Sequence, residues 1–247
     1  MKKNSILLLL LTVSFFVNGQ IHHNSGDTLF VWASEGINIF SNHYTNSEVL
    51  SHAEYGEKLL VLDCSYDSTI SVVMNSPCLV NDNLTPVYKA KGKMIKVKFY
   101  DLEGYVFDVY LARIQPIEKY KSFDRFLEEN IGIIKSFEHN KEPRRTETVY
   151  KNGIVRYITS FGSSNPGCLE TTYIIPGLSL HEGFLIAYHL LGLKERESMD
   201  TPDCICAWHF VKLDDQYIEI DSSCEAFTGA YIRSDANFIS IKIGIYM

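Results

Sequence analysis

The stretch Ile95-Lys96-Val97-Lys98-Phe99 alternates apolar and cationic residues, and Asp101-Leu102-Glu103-Gly104 turns the chain into Tyr105-Val106-Phe107. Alternation at period two sends successive side chains to opposite faces, so this stretch predicts a half-buried strand and its hairpin partner. Gly104 is expected to take a turn geometry that other residues adopt only at a cost. Working outward, Thr28-Leu29-Phe30-Val31-Trp32-Ala33, Gly36-Ile37-Asn38-Ile39-Phe40 and Glu57-Lys58-Leu59-Leu60-Val61-Leu62 are further extended runs. Short strands at this spacing predict a small closed or sandwiched β domain over residues 27–116.

The order of these pieces resembles the bacterial SH3 family. Members open with an apolar–x–valine–x–alanine strand, matched by Leu29-Phe30-Val31-Trp32-Ala33, and a glycine–apolar–asparagine–apolar strand, matched by Gly36-Ile37-Asn38-Ile39. Tyr55-Gly56-Glu57-Lys58 matches the step after the distal loop, and Gly104-Tyr105-Val106 with Tyr110-Leu111 matches the closing hairpin. Phe40 stands where the family usually has arginine, and Met94 where tryptophan is common. The resemblance implies an SH3-like small β-barrel near the N-terminus. It also implies an aromatic groove for cell-wall peptide or glycan, or for an exported protein. Tyr55, Tyr105 and Tyr110 are the candidate ligand-binding residues, although a core position is the commoner role for a tyrosine in such a strand pattern.

The start of the chain sets the expected address. Lys2 and Lys3 precede an apolar run from Ile6 to Val17, which closes at Val17-Asn18-Gly19. This pattern reads as a signal peptide over 1–19, and the run is short of the roughly 20 residues that span a bilayer. The expected location is periplasmic or secreted, with no stable membrane insertion after cleavage. Residues 20–247 then carry 21 basic and 30 acidic side chains, a balance that argues against non-specific nucleic-acid binding. An exported chain with an even number of cysteines predicts disulfides, here among Cys64, Cys78, Cys168, Cys204, Cys206 and Cys224. Cys64 with Cys78 is the simplest local pair.

Beyond residue 116 the pattern changes. Ser122 caps a predicted helix over Phe123–Glu129, and Ile131 to Phe137 suits either its extension or a strand. His139 to Arg145 reads as an exposed turn or connection, so residues 117–145 form a helical linker. Residues 146–247 predict an α+β domain with an antiparallel sheet. Asn152-Gly153 marks a hairpin, and Ser179 with Glu182 forms a capping box for a helix from Leu180. Ala207 to Leu213 and Gln216 to Ile220 form another hairpin, and Phe238 to Ile245 a final strand. The whole chain is therefore expected to be mostly β.

No motif for a catalytic centre, metal or cofactor emerges. Cys168 and the Asp63-Cys64-Ser65 run lack the context of a thiol nucleophile. His181 and His189 lie eight residues apart, which is not the one-turn spacing of a metal pair. Cys204-Ile205-Cys206 with His209 suits disulfides better than zinc in an oxidising compartment. Asp214, Asp215, Glu219 and Asp221 read as a solvated turn and strand. The leading expectation is an extracytoplasmic binding or adaptor protein. A cell-envelope hydrolase with its site in the C-terminal domain is the alternative.

Overall fold

Alternate side chains decide which way each strand faces, and the two halves of the chain use that rule differently. The computed structural model describes residues 23–44, 46–66, 69–74, 79–80, 83–84, 86–117, 122–161, 169–191, 208–222, 227–235 and 237–246. The predicted leader lies outside them.

The first half contains β1 (Thr28–Val31), β2 (Ile37–Phe40), β3 (Val49–Ala53), β4 (Lys58–Asp63), β5 (Thr69–Val73), β6 (Leu79–Val80), β7 (Asn83–Leu84), β8 (Lys89–Phe99), β9 (Leu102–Phe107) and β10 (Leu111–Ala112). A 3-10 turn over Asp108–Tyr110 separates the last two. One antiparallel sheet runs β10-β1-β4-β8-β9-β2-β3, and β5 pairs with the start of β8. Leu29, Val31, Ile39, Leu59, Val61, Ile95, Val97, Val106 and Leu111 are wholly or almost wholly buried in one cluster. No helix contributes to that cluster. The sheet therefore buries its inner face by curling over itself.

The curl stops short of closure. The end strands β10 and β3 share no ladder, whereas a barrel requires every strand to be paired on both sides. The expected SH3-like barrel is thus corrected to an open, curved sheet. Its free end has a physical cause. Past Ala112, the Arg113 backbone N–H donates to Glu182 at 2.9 Å, and Ile117 enters the core of the second half. The chain is drawn away from β3. Gly104 also differs from expectation. It lies within β9, where an added Cβ would sit 2.5 Å from Ile39 Cγ2, so it permits close approach of β2. The turn itself falls at Tyr100, whose φ is 52°.

The second half contains α1 (Phe123–Asn130), β11 (Ile133–His139), β12 (Arg144–Tyr150), β13 (Val155–Ser160), β14 (Leu169–Pro176), α2 (Leu180–Leu190), β15 (Trp208–Asp214), β16 (Tyr217–Ser222), β17 (Phe227–Asp235) and β18 (Phe238–Tyr246). Its strands form an antiparallel sheet in the order β11-β12-β13-β14-β18-β17-β16-β15. Asn152-Gly153 makes the predicted turn between β12 and β13, with Gly153 at φ 83°. Ser122 caps α1 by accepting from Arg125 N at 3.2 Å. Gly132, at φ 80°, ends the helical run, so Ile133 onward is strand rather than helix. Residues 133–150 therefore form a hairpin on the sheet edge, and only its tip is a turn.

Both helices bury their apolar faces against one face of this sheet. Phe123, Phe126 and Leu127 of α1 share a core with Tyr150, Tyr173, Phe184, Ile218, Ile232, Ile239 and Ile241. Trp32, Ala112 and Ile117 belong to the same core, so α2 lies between the two halves of the chain.

Cys64 is a free thiol that donates to the His23 carbonyl at 3.0 Å. The expected Cys64–Cys78 bridge is therefore not formed, and no disulfide occurs among the described residues. The Cys64 sulfur is directed at that carbonyl and not at another sulfur, and a bridge requires the two Cβ atoms to face each other at about 4 Å. Cys78, Cys168, Cys204, Cys206 and Cys224 lie outside the described residues.

Gly183 sets how closely α2 approaches its sheet. A Cβ there would meet Ile239 Cγ2 at 2.6 Å and Ile232 Cγ2 at 3.1 Å. Alanine favours a helix by about 1 kcal/mol over glycine. Overpacking a tight core costs about 1–3 kcal/mol. At 2.6 Å from a buried methyl the clash prevails. Gly183→Ala is expected to lower stability by roughly 1–2 kcal/mol on this balance, read as a lower urea midpoint with an unchanged slope.

Candidate aromatic binding site

The outer face of the first sheet gathers four rings from three separate places. Tyr105 projects outward from β9, between buried Gly104 and Val106. Its neighbours across the ladder are Lys96 on β8 and Phe40 on β2. His43 and Tyr44 come from the loop between β2 and β3. That loop is held by Ser41 N to Glu48 O at 2.9 Å and by Ser47 Oγ to Tyr44 O at 2.6 Å. Tyr66 follows β4 by way of a tight turn, in which Asp63 accepts from Ser65 N at 2.9 Å and Ser65 Oγ at 3.1 Å. Those hydrogen bonds hold the Asp63 carboxyl below its ordinary range.

His43 sits at the centre. Its ring stacks on Tyr66 at 4.9 Å, lies 4.1 Å from Tyr44 and meets Tyr105 edge-on at 5.9 Å. Tyr66 and Tyr105 are T-shaped at 5.3 Å, with their hydroxyls 3.0 Å apart. That hydroxyl contact raises the Tyr66 phenol to about 12, so it stays neutral. Tyr44 is 60% exposed, and the other three rings are half-buried. Beside them, Lys96 pairs with Glu103 at 2.7 Å. The surface thus offers flat apolar faces, phenol tips and one ion pair at its margin. Such a surface stacks a ring and hydrogen-bonds its edge.

Of the three tyrosines expected to bind ligand, only Tyr105 belongs to this surface. Tyr55 donates to the Ile117 carbonyl at 3.2 Å and lies 3.4 Å from His189 Nδ1, so it ties the first half to α2. Burial raises its phenol to about 12. Tyr110 packs against the inner cores of the first half. His43 and Tyr66 were missed because nothing in their local sequence distinguishes a loop ring that joins a cluster from one that does not.

No family model matches this chain, and no curated protein or solved structure does. The SH3 resemblance therefore has neither a matching family model nor a closed barrel behind it.

The other sequence candidates lead to structural positions. His181 is buried, receives a hydrogen-bond contact from Tyr88 at 3.1 Å and contacts the Val109 carbonyl through Nε2. His189 meets Trp32 edge-on at 6.0 Å. Asp214 accepts from Gln216 N at 2.9 Å in the turn after β15, and Glu219 accepts from the Tyr217 hydroxyl at 3.3 Å. The side chain of His209 lies outside the described residues, as do Cys204 and Cys206. No cluster of three metal-ligating side chains occurs among the described residues, and no described helix is long and apolar enough to cross a membrane.

His23, Asp108 and His181 are a second set of ionisable residues, all buried. His23 is buried, and neither ring nitrogen has a hydrogen-bond partner among the described residues. Burial foremost, then Arg113, lowers its pKa to about 3. Burial lowers His181 to about 4. Burial also pushes Asp108 up to about 7, although Lys93 N donates to its Oδ1 at 2.8 Å, because Oδ2 is unpartnered. The signs oppose. Each histidine binds a proton in the unfolded chain before it does so in the fold, so stability falls as pH drops below about 6.5. Asp108 stabilises the fold below its unfolded pKa of about 4, and that contribution is lost as pH rises through about 7. Two histidines outweigh one carboxyl, so urea midpoints are expected to fall from pH 6.5 to pH 4.5. Asp108→Asn is expected to raise stability above pH 7 by roughly 1–3 kcal/mol and to change little near pH 4. A midpoint lower than wild type at pH 8 contradicts the assignment.

Proposed function

We propose that this protein is an extracytoplasmic binding protein that holds a carbohydrate chain of the cell envelope on the His43, Tyr44, Tyr66 and Tyr105 surface. The observation that carries the reading is the meeting of these four rings, with inter-ring distances of 4.1–5.9 Å, on a solvent-facing sheet. The inner face of this sheet is filled mainly by aliphatic residues, with Phe99 the one buried aromatic of its cluster, so these four rings are not part of that core. Tyrosine faces stack on the apolar face of a sugar ring, and the phenol tips exchange hydrogen bonds with its hydroxyls. The Lys96–Glu103 pair supplies further donors and acceptors at the margin. The signal-peptide pattern read in residues 1–19 supports the extracytoplasmic address.

The test is retention of the protein on purified peptidoglycan, followed by titration with soluble glycan fragments. Tyr105→Ala removes the ring on the rigid strand and is expected to cost about 1–2 kcal/mol, roughly five- to thirtyfold in affinity. Tyr66→Phe keeps the ring and is expected to cost less. Retention that survives Tyr105→Ala and Tyr66→Ala together rejects this surface. Binding of the stem peptide but not the glycan rejects the carbohydrate assignment.

A further inference from the structure

The second sheet carries its helices on one face and leaves the other to solvent. On β16, β17 and β18 the inward residues Ile218, Ile220, Ala230, Ile232, Ile239 and Ile241 are buried. Their neighbours Tyr217, Tyr231, Arg233, Ser240 and Lys242 face outward and line a shallow depression of about 260 Å³. The register fixes their order. Arg233 lies opposite both Tyr217 and Ser240, and Tyr231 lies opposite Lys242.

We propose that this depression binds a small ring-bearing carboxylate of the uronic-acid type, anchored by Arg233. The reading is independent of the aromatic surface on the first sheet. Charge comes first. The chain carries 30 acidic against 23 basic side chains, yet Lys212, Arg233 and Lys242 surround these two tyrosines. Lys212 lies 5.1 Å from the Tyr217 ring and Lys242 5.8 Å from the Tyr231 ring. The carboxylates nearby already have partners. Glu170 holds Lys242 at 2.6 Å, Asp214 lies 3.7 Å from Lys212, and Glu219 accepts from the Tyr217 hydroxyl at 3.3 Å. The Arg233 guanidinium makes no ion pair or hydrogen bond among the described residues, although it lines the depression.

A guanidinium fork matches a carboxylate with two parallel hydrogen bonds, which a lysine ammonium cannot reproduce. Directly across the ladder, Ser240 presents a hydroxyl that can donate or accept. Tyr217 and Tyr231, tilted by 38° with centroids 6.3 Å apart, give apolar walls with polar tips. A pyranose ring bearing one carboxylate meets each of these needs. A bare anion uses only the charge, and a neutral sugar uses only the walls.

The experiment is a calorimetric and NMR titration of the full-length protein with sodium glucuronate, glucose and inorganic phosphate at equal ionic strength. Glucuronate is expected to bind saturably, at least about tenfold more tightly than either comparison ligand. Arg233→Lys keeps the charge but loses the fork, so it is expected to weaken glucuronate binding about tenfold. Arg233→Ala is expected to abolish it. Arg233 is exposed, and circular dichroism checks that both variants keep the fold. The proposal is overturned if glucuronate fails to saturate, if glucose or phosphate binds as tightly, or if Arg233→Ala leaves affinity unchanged.

Discussion

The carboxylate of Glu182 is the constraint on which the arrangement of the two halves depends. It is fully buried, and both of its oxygens accept hydrogen bonds. Oε2 accepts from Ser179 N at 2.8 Å and Ser179 Oγ at 3.0 Å, which closes the capping box of α2. Oε1 accepts from Arg113 N at 2.9 Å, and the Arg113 guanidinium approaches to 3.9 Å. A buried carboxyl group is tolerated only when its oxygens find donors, and removing one partner leaves the other unsatisfied. One side chain therefore starts a helix and ties it to the strand that leaves the first sheet.

The open sheet follows from the same contact. A curled sheet with a filled interior has most of what a barrel needs, and its inner cluster is buried. Closure also needs the last strand to run beside β3. Here β10 is two residues long, and the chain beyond it is held by Glu182 and by the core beneath α2. Tyr55 and Trp32, from the first half, reinforce this docking. Tyr55 reaches Ile117 and His189, and Trp32 Nε1 donates to the Ile114 carbonyl at 2.8 Å. Tyr55, expected to line a binding groove, is thus used in the seam.

Strands with clean alternation were legible, and those without it were not. β8, β9, β13 and β18 announce themselves by period or by turn chemistry. β3 does not, because Val49 and Leu50 are exposed and only Ala53 is buried on this edge strand. β17 does not, because Gly229-Ala230 interrupts the apolar pattern that Ile232 completes. At the aromatic site, Tyr105 was legible as a groove candidate through the family resemblance, but only the sheet shows that it faces outward. His43 and Tyr66 were not, because a loop ring finds its neighbours only when distant strands are brought together. The outward row of β16, β17 and β18 was hidden for the same reason, being assembled across three strands.

Sequence by itself determined the local decisions. It set the strand periods, the Ser122 and Ser179 caps, the Asn152-Gly153 turn and the mostly β character, since each rests on dihedral preference or on hydrogen bonds within a few residues. Tertiary structure decided whether the first sheet closes, whether Cys64 pairs, and which tyrosines face solvent. Those outcomes are competitions between partners far apart in the chain. Arg113 on Glu182 spans 69 residues, and Cys64 on the His23 carbonyl spans 41. No local pattern carries the relative energy of such contacts, because it arises only when packing removes water from both partners at once.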